Sequence, residues 1–181
     1  MRAIQYERFG GPEVLRLVDL PAPAPGPGEV AIEVRAASVI PGDWKLRAGH
    51  LQHLFPITFP KIPGRDGAGI IVEVGSGVDG WSVGEAVGFV TQHTESGSYA
   101  ERVVRNPASV VRKPAALSFA EGAALMHAGV CAWIGLIETA GVEAGSRVLV
   151  HAGAGAIGGA AVHGWIARHS GEPRSGRGRT S

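Results

Sequence analysis

The chain has 181 residues, 45% of them hydrophobic, and a formal net charge of +1. That is enough apolar material for a packed core, and the near-neutral balance gives no electrostatic reason to expect a nucleic-acid partner. A single cysteine, Cys131, excludes an intramolecular disulfide and every multi-cysteine zinc site. The 28 glycines follow no Gly-X-Y period, so they read as tight turns and close backbone approaches. No signal peptide and no apolar run of about 18 residues is evident, which predicts a soluble, cytoplasmic protein without a membrane partner.

In chain order, Met1–Tyr6 and Val14–Leu20 flank Phe9-Gly10-Gly11-Pro12 and predict a hairpin. Pro21 to Gly28, with proline at alternate positions, predicts a stiff extended connection. Val30, Ile32 and Val34 alternate with polar residues across Glu29–Ser38, the pattern of a half-buried strand. Pro41–Gly49 predicts one or two helical turns with Pro41 at the permitted first position. Short strands follow at Gly69–Val74, Glu85–Thr91, Tyr99–Val104 and Ser109–Arg112, spaced as in a small barrel. Ser118-Phe119-Ala120-Glu121 is a capping box that opens a helix. A second helical stretch, Gly129–Ala140, is expected to end at Gly141 in the C′ position. Arg147–His151 then predicts a fully buried strand, followed by glycines and an Ala-rich helix.

The glycines after that strand read Gly153-Ala154-Gly155-Ala156-Ile157-Gly158. A G-x-G-x-x-G run between a strand and a helix has the layout a dinucleotide pyrophosphate needs. Gly153 is expected to make the tight turn, Gly155 to admit the phosphates, and Gly158 to let helix and strand pack closely. Free N–H groups and the helix dipole hold the anion in such a turn.

From residue 1 to about residue 163 the chain resembles the zinc-free quinone oxidoreductase branch of the medium-chain dehydrogenase/reductase superfamily. The segments that carry the resemblance are Met1-Arg2-Ala3-Ile4, Phe9 to Leu15, Pro27-Gly28-Glu29-Val30, Val39 to Lys45, Pro63 to Gly69, Val83 to Val87, Gly97 to Glu101 and the glycine turn. The resemblance implies a GroES-like barrel as substrate domain, then a Rossmann domain binding NADP(H). It also implies hydride transfer from NADPH to a quinone or an α,β-unsaturated carbonyl, often by a homodimer. Zinc-dependent relatives carry a cysteine near Val39–Asp43 and a Gly-His-Glu at Gly64-Arg65-Asp66. Ile40 and Arg65 stand there instead, and neither coordinates zinc, so no metal is expected.

Two positions depart from the family pattern. Ile40 replaces an asparagine whose amide faces the substrate carbonyl, and Cys131 replaces a threonine. An isoleucine donates no hydrogen bond, and a thiol is a weaker partner than a hydroxyl. Cys131 reads either as a small buried core residue or as a cofactor contact near the nicotinamide end. The cofactor residues are therefore Gly153, Ala154, Gly155, Ala156, Ile157, Gly158 and Cys131, and the substrate residues Ile40, Asp43 and Trp44. Asp43 and His127 are the catalytic candidates, His127 as a local proton donor. His50 and His53, three residues apart, have no third partner and read as solvated.

These expectations assemble into an α+β protein. Residues 1–115 would be a GroES-like β-barrel and 116–169 the start of a Rossmann domain. Residues 170–181, Arg/Gly/Ser-rich and without an aliphatic side chain, read as a disordered tail, even as an out-of-frame end left by a frameshift in a longer parent. The expected function is NADPH-dependent, zinc-independent reduction of a quinone or enone. The alternative is an inactive fragment, a folded barrel without a complete cofactor site.

Overall fold

The computed structural model describes residues 1–93 and 95–169, so the expected tail lies outside the described residues. The chain divides into two compact units, Met1–His127 and a second beginning at Ala128.

In the first unit, β1 (Arg2–Gln5) and β2 (Arg16–Asp19) form the expected hairpin, with Arg2 opposite Asp19 and Gln5 opposite Arg16. Five more strands follow: β3 (Val30–Ala37), β4 (Asp66–Val74), β5 (Ala86–Val90), β6 (Arg102–Arg105) and β7 (Val110–Arg112). They make one antiparallel sheet in the order β6-β3-β4-β5-β7. This sheet cannot be flat. Its edges β6 and β7 would then lie about 19 Å apart, four strand spacings. Yet Arg105 and Val110 are joined by four residues, and those include the tight turn Pro107–Ser109. Even fully extended, that connection reaches only about 17 Å. The sheet therefore curls, helped by bulges in β3 at Ala31/Ile32 and Val34/Ala36.

The curl encloses a core of Val30, Ile32, Ile71, Val87, Phe89, Val103 and Val110, all at most 5% exposed. Gly69 is required where β3 and β4 cross, because a Cβ there would collide with the Glu33 carbonyl. A smaller cluster of Ala3, Ile62 and Ala100 ties the hairpin on through an Ala3–Ala100 bridge. Helix α1 (Pro41–Arg47) begins with Pro41 in its first turn, as expected.

Helix α2 (Phe119–Trp133) opens with the predicted capping box: Glu121 N–H donates to Ser118 Oγ at 3.2 Å, and Ser118 N–H to Glu121 Oε2 at 2.8 Å. Its early turns lie on β4 and β5, with Gly122 facing Ala68 and Met126 filling the space over Gly88.

The second unit differs from expectation in three places. The two predicted helical stretches are one: α2 runs on into a π-helical turn, Ile134–Thr139, before Gly141 ends it at φ 58°. Gly129 does not break the helix, since one glycine costs only about 1 kcal/mol there. The continuous stretch Phe119–Thr139 has 21 residues and few charged side chains. By length and composition it is long and apolar enough to cross a membrane, so the expectation that no segment could do so is corrected. Finally, Arg147–His151 is not a strand. Leu149 is 81% exposed, and no described segment supplies the ladder that defines a strand. Helix α3 (Ala156–His169) follows the glycine turn as predicted.

Candidate functional site

Asp43 is the most constrained of the predicted residues in the first unit. It occupies the first turn of α1 and is 6% exposed. Its Oδ2 accepts two hydrogen bonds, from Ile40 N–H at 2.9 Å and from the Tyr99 hydroxyl at 3.0 Å. Its Oδ1 is buried without a hydrogen-bond partner. Burial outweighs both hydrogen bonds and pushes the Asp43 carboxyl above its ordinary range, aided by repulsion from Asp66. Burial, and the charge of Asp43, likewise push the Tyr99 hydroxyl well above its ordinary value.

A cavity of about 20 Å³, room for one water, is lined by Asp43, Tyr6, Lys61, Arg65, Gln92 and His93, with the Ile62–Gly64 segment and Leu46. Gly64 adopts φ 104°, and a side chain there would collide with Ser98. Only glycine fits this turn, which brings Arg65 and Asp66 to the cavity and to helix α2.

Arg65 fills the position where zinc-dependent relatives place a histidine. Its Nε donates to the Thr91 carbonyl at 2.8 Å, and its Nη1 lies 2.8 Å from His93 Nδ1. The His93 ring stacks on Phe55 with centroids 3.6 Å apart. Burial, then the charges of Arg65, Lys61 and His127, push His93 down to about 4, so it is neutral at pH 7. Lys61 donates its ammonium hydrogens to the carbonyls of His93 (2.8 Å) and Glu95. A larger cavity of about 390 Å³ adjoins these groups, since Lys61, Ile62 and His93 line both.

Asp66 is fully buried and holds α2 to the sheet. It accepts the His127 backbone N–H at 3.0 Å and the Ser38 hydroxyl. His127 thus sits close enough for its charge to act on His93. Trp44 does not join this group: it is 45% exposed, packed edge-on against His50 at 5.7 Å. His50 and His53 lie in the turn beyond α1, both exposed, and do not share a helix face. Among the described residues no three His, Cys, Asp or Glu side chains converge as metal ligands.

In the second unit, Gly153–Gly158 forms the turn into α3. Gly155 N–H bonds the Ala152 carbonyl at 2.9 Å, and Gly159 N–H bonds the Gly155 carbonyl. The left-handed residue is Ala152, at φ 55°, and Gly153 takes no positive φ. A Cβ at Gly158 would collide with the Ala152 carbonyl. Cys131 is partly buried on α2 and in no disulfide.

Sequence reasoning missed Tyr99, Lys61, His93 and Asp66 as parts of one site. Asp66 and Tyr99 lie in segments that carry the resemblance, but only the fold brings the β6-side segment, the Pro60–Gly64 turn and α1 together.

Comparison with known proteins agrees with this architecture. Residues 26–115 match the family described as "Alcohol dehydrogenase GroES-like domain". The chain is 38% identical over 164 residues to the chloroplastic quinone-oxidoreductase homolog of Spinacia oleracea, covering 87% of this chain and 50% of that protein. An alcohol dehydrogenase superfamily protein from Novosphingobium aromaticivorans superposes with a TM-score of 0.87 at 34% identity, over 93% of this chain and 51% of that one. The mycobacterial protein Rv1454c, solved complexed with NADPH, gives a TM-score of 0.78 at 33% identity over 92% of this chain and 50% of that one. The chain spans about half the length of the curated relatives it matches. It belongs to the quinone oxidoreductase group of the medium-chain dehydrogenase/reductase superfamily, with a GroES-like domain followed by the start of a Rossmann fold.

Proposed function

We propose that this chain serves NADPH-dependent, zinc-independent reduction of a quinone or an α,β-unsaturated carbonyl. Residues 1–115 act as the substrate domain and 116–169 open the nucleotide-binding domain, in an assembly that pairs as a homodimer. One observation carries the reading. The Gly153–Gly158 turn closes so tightly under α3 that a side chain at Gly158 would strike the Ala152 carbonyl. Such a close turn supports a pyrophosphate cradle, to which we assign Gly153, Ala154, Gly155, Ala156, Ile157 and Gly158, with the Gly155 N–H already donated to the Ala152 carbonyl.

When bound, NADPH supplies the hydride. The chain's own residues provide orientation and protons. Asp43 keeps its proton to a higher pH than an exposed carboxyl, and the proton belongs on Oδ1, because Oδ2 already accepts two hydrogen bonds. His93 stays neutral, and Arg65 holds its place beside it. A guanidinium fixed where relatives hold a zinc ligand repels a divalent cation, which supports the metal-free reading. Ile40 lends its backbone N–H to Asp43, and its side chain gives a substrate carbonyl no donor. Cys131 is assigned to the nicotinamide end and His127 to the proton supply. Gly122 and Met126 seat the start of α2 on the sheet, and a small-molecule substrate needs neither membrane nor nucleic acid.

The test is NADPH oxidation by the full chain with 1,4-benzoquinone as acceptor. Acceptor-dependent oxidation that survives exhaustive chelation supports the reading. A folded chain that neither binds nor oxidises NADPH supports an inactive fragment instead.

A further inference from the structure

Lys61 stands out in the first unit because its ammonium keeps an unused hydrogen beside a cavity. It lines both the 20 Å³ and the 390 Å³ cavities. An ammonium has three hydrogens. Two go to the carbonyls of His93 and Glu95, and among the described residues the third has no partner. Glu95 also borders the larger cavity, yet its carboxylate accepts the Gln92 N–H at 2.8 Å. Burial first, then the charges of Arg105, itself 2% exposed, and Arg65, disfavour the ammonium, while Glu95 favours it. His93 is neutral and offers no anion. Lys61 is the cation and Glu95 the anion in the lining of this cavity of small-ligand size, whose remaining lining includes Pro56, Pro60 and Ile62, apolar surface for a ring, and the hydroxyl-bearing Thr58 and Ser96.

We propose that the 390 Å³ cavity binds the carboxylate of an acidic substrate, anchored by the third N–H of Lys61, so that the preferred acceptor is a quinone or enone bearing a carboxylate. This rests on the quinone/enone reading above and narrows its substrate class. A neutral ring would fill the apolar surface equally well but would leave the third N–H without a charged acceptor.

The test needs no cofactor, so it fails separately from the parent reading, which NADPH binding decides. The full chain, labelled with ¹⁵N, is titrated with 2,5-dihydroxybenzoate and, under reducing conditions, with 1,4-hydroquinone. The carboxylate compound is expected to bind at least about tenfold more tightly and to shift the amides of Lys61, Ile62 and Ser96. Lys61→Gln should erase that preference without weakening the neutral ring. Lys61→Arg should keep most of it, and serves if the glutamine variant does not fold. Equal affinity for the two compounds, no binding by either, shifts confined to other segments, or an unchanged preference in Lys61→Gln overturns the proposal.

Discussion

The Tyr99 hydroxyl donates to Asp43 Oδ2 at 3.0 Å, joining two residues 56 positions apart and fixing the start of α1 against the segment that leads into β6. Tyr99→Phe removes that donor and leaves the carboxyl with Ile40 N–H alone. The expected cost is about 1–2 kcal/mol of unfolding free energy, read by urea denaturation at pH 7. A change below a few tenths of that would show that the contact holds nothing.

Asp43 also sets a pH dependence. Its folded carboxyl lies above the ordinary value of 3.8, so the folded state binds the proton more tightly than the unfolded state. Its contribution is fully present below pH 3.8 and is lost as pH rises through the folded value. Asp43→Asn keeps an oxygen for both hydrogen bonds and cannot ionise. Its stability relative to the parent should therefore improve from pH 4 to pH 7, measured as two denaturation midpoints. An identical difference at both values contradicts the assignment.

His93 runs the other way. With a folded value of about 4 against an ordinary 6.5, it favours the folded state above pH 6.5, and that contribution is lost as pH falls toward 4. Its ring proton resonances should titrate near pH 4. In Arg65→Gln the midpoint should move up toward the ordinary value, because a neighbouring cation is gone. A His93 midpoint near 6.5 in the parent chain would exclude the buried, cation-flanked setting described here.

Gly158→Val places a side chain against the Ala152 carbonyl. The expected effect is local: overpacking of about 1–3 kcal/mol at the turn, loss of NADPH binding, and an unaltered amide spectrum for β1 to β7. Retained binding would mean the turn does not hold the pyrophosphate.

The parts legible in the sequence were those where a local rule and the tertiary fold agree. The Ser118–Glu121 capping box, Pro41 at the start of α1, the hairpin at Phe9–Pro12 and the glycine turn before α3 each rest on residues within a few positions of one another. What escaped depends on distant partners. Arg147–His151 has the composition of a buried strand, but a strand needs a neighbour, and none is present among the described residues. The two helical stretches expected on either side of Gly129 are one continuous helix because a single glycine costs only about 1 kcal/mol there, and widening into a π-turn comes only after Trp133. At the site, Asp43 could be named from its motif. Its partner Tyr99, the carbonyls that hold Lys61 and the fully buried Asp66 could not, since each contact joins segments 28 to 61 residues apart.

The most direct test of the central claim is a calorimetric titration of the full chain with NADPH, with Gly158→Val as control. The account predicts saturable heat for the parent chain and none for the variant. No heat from a parent chain whose β-sheet amide spectrum is native would contradict it.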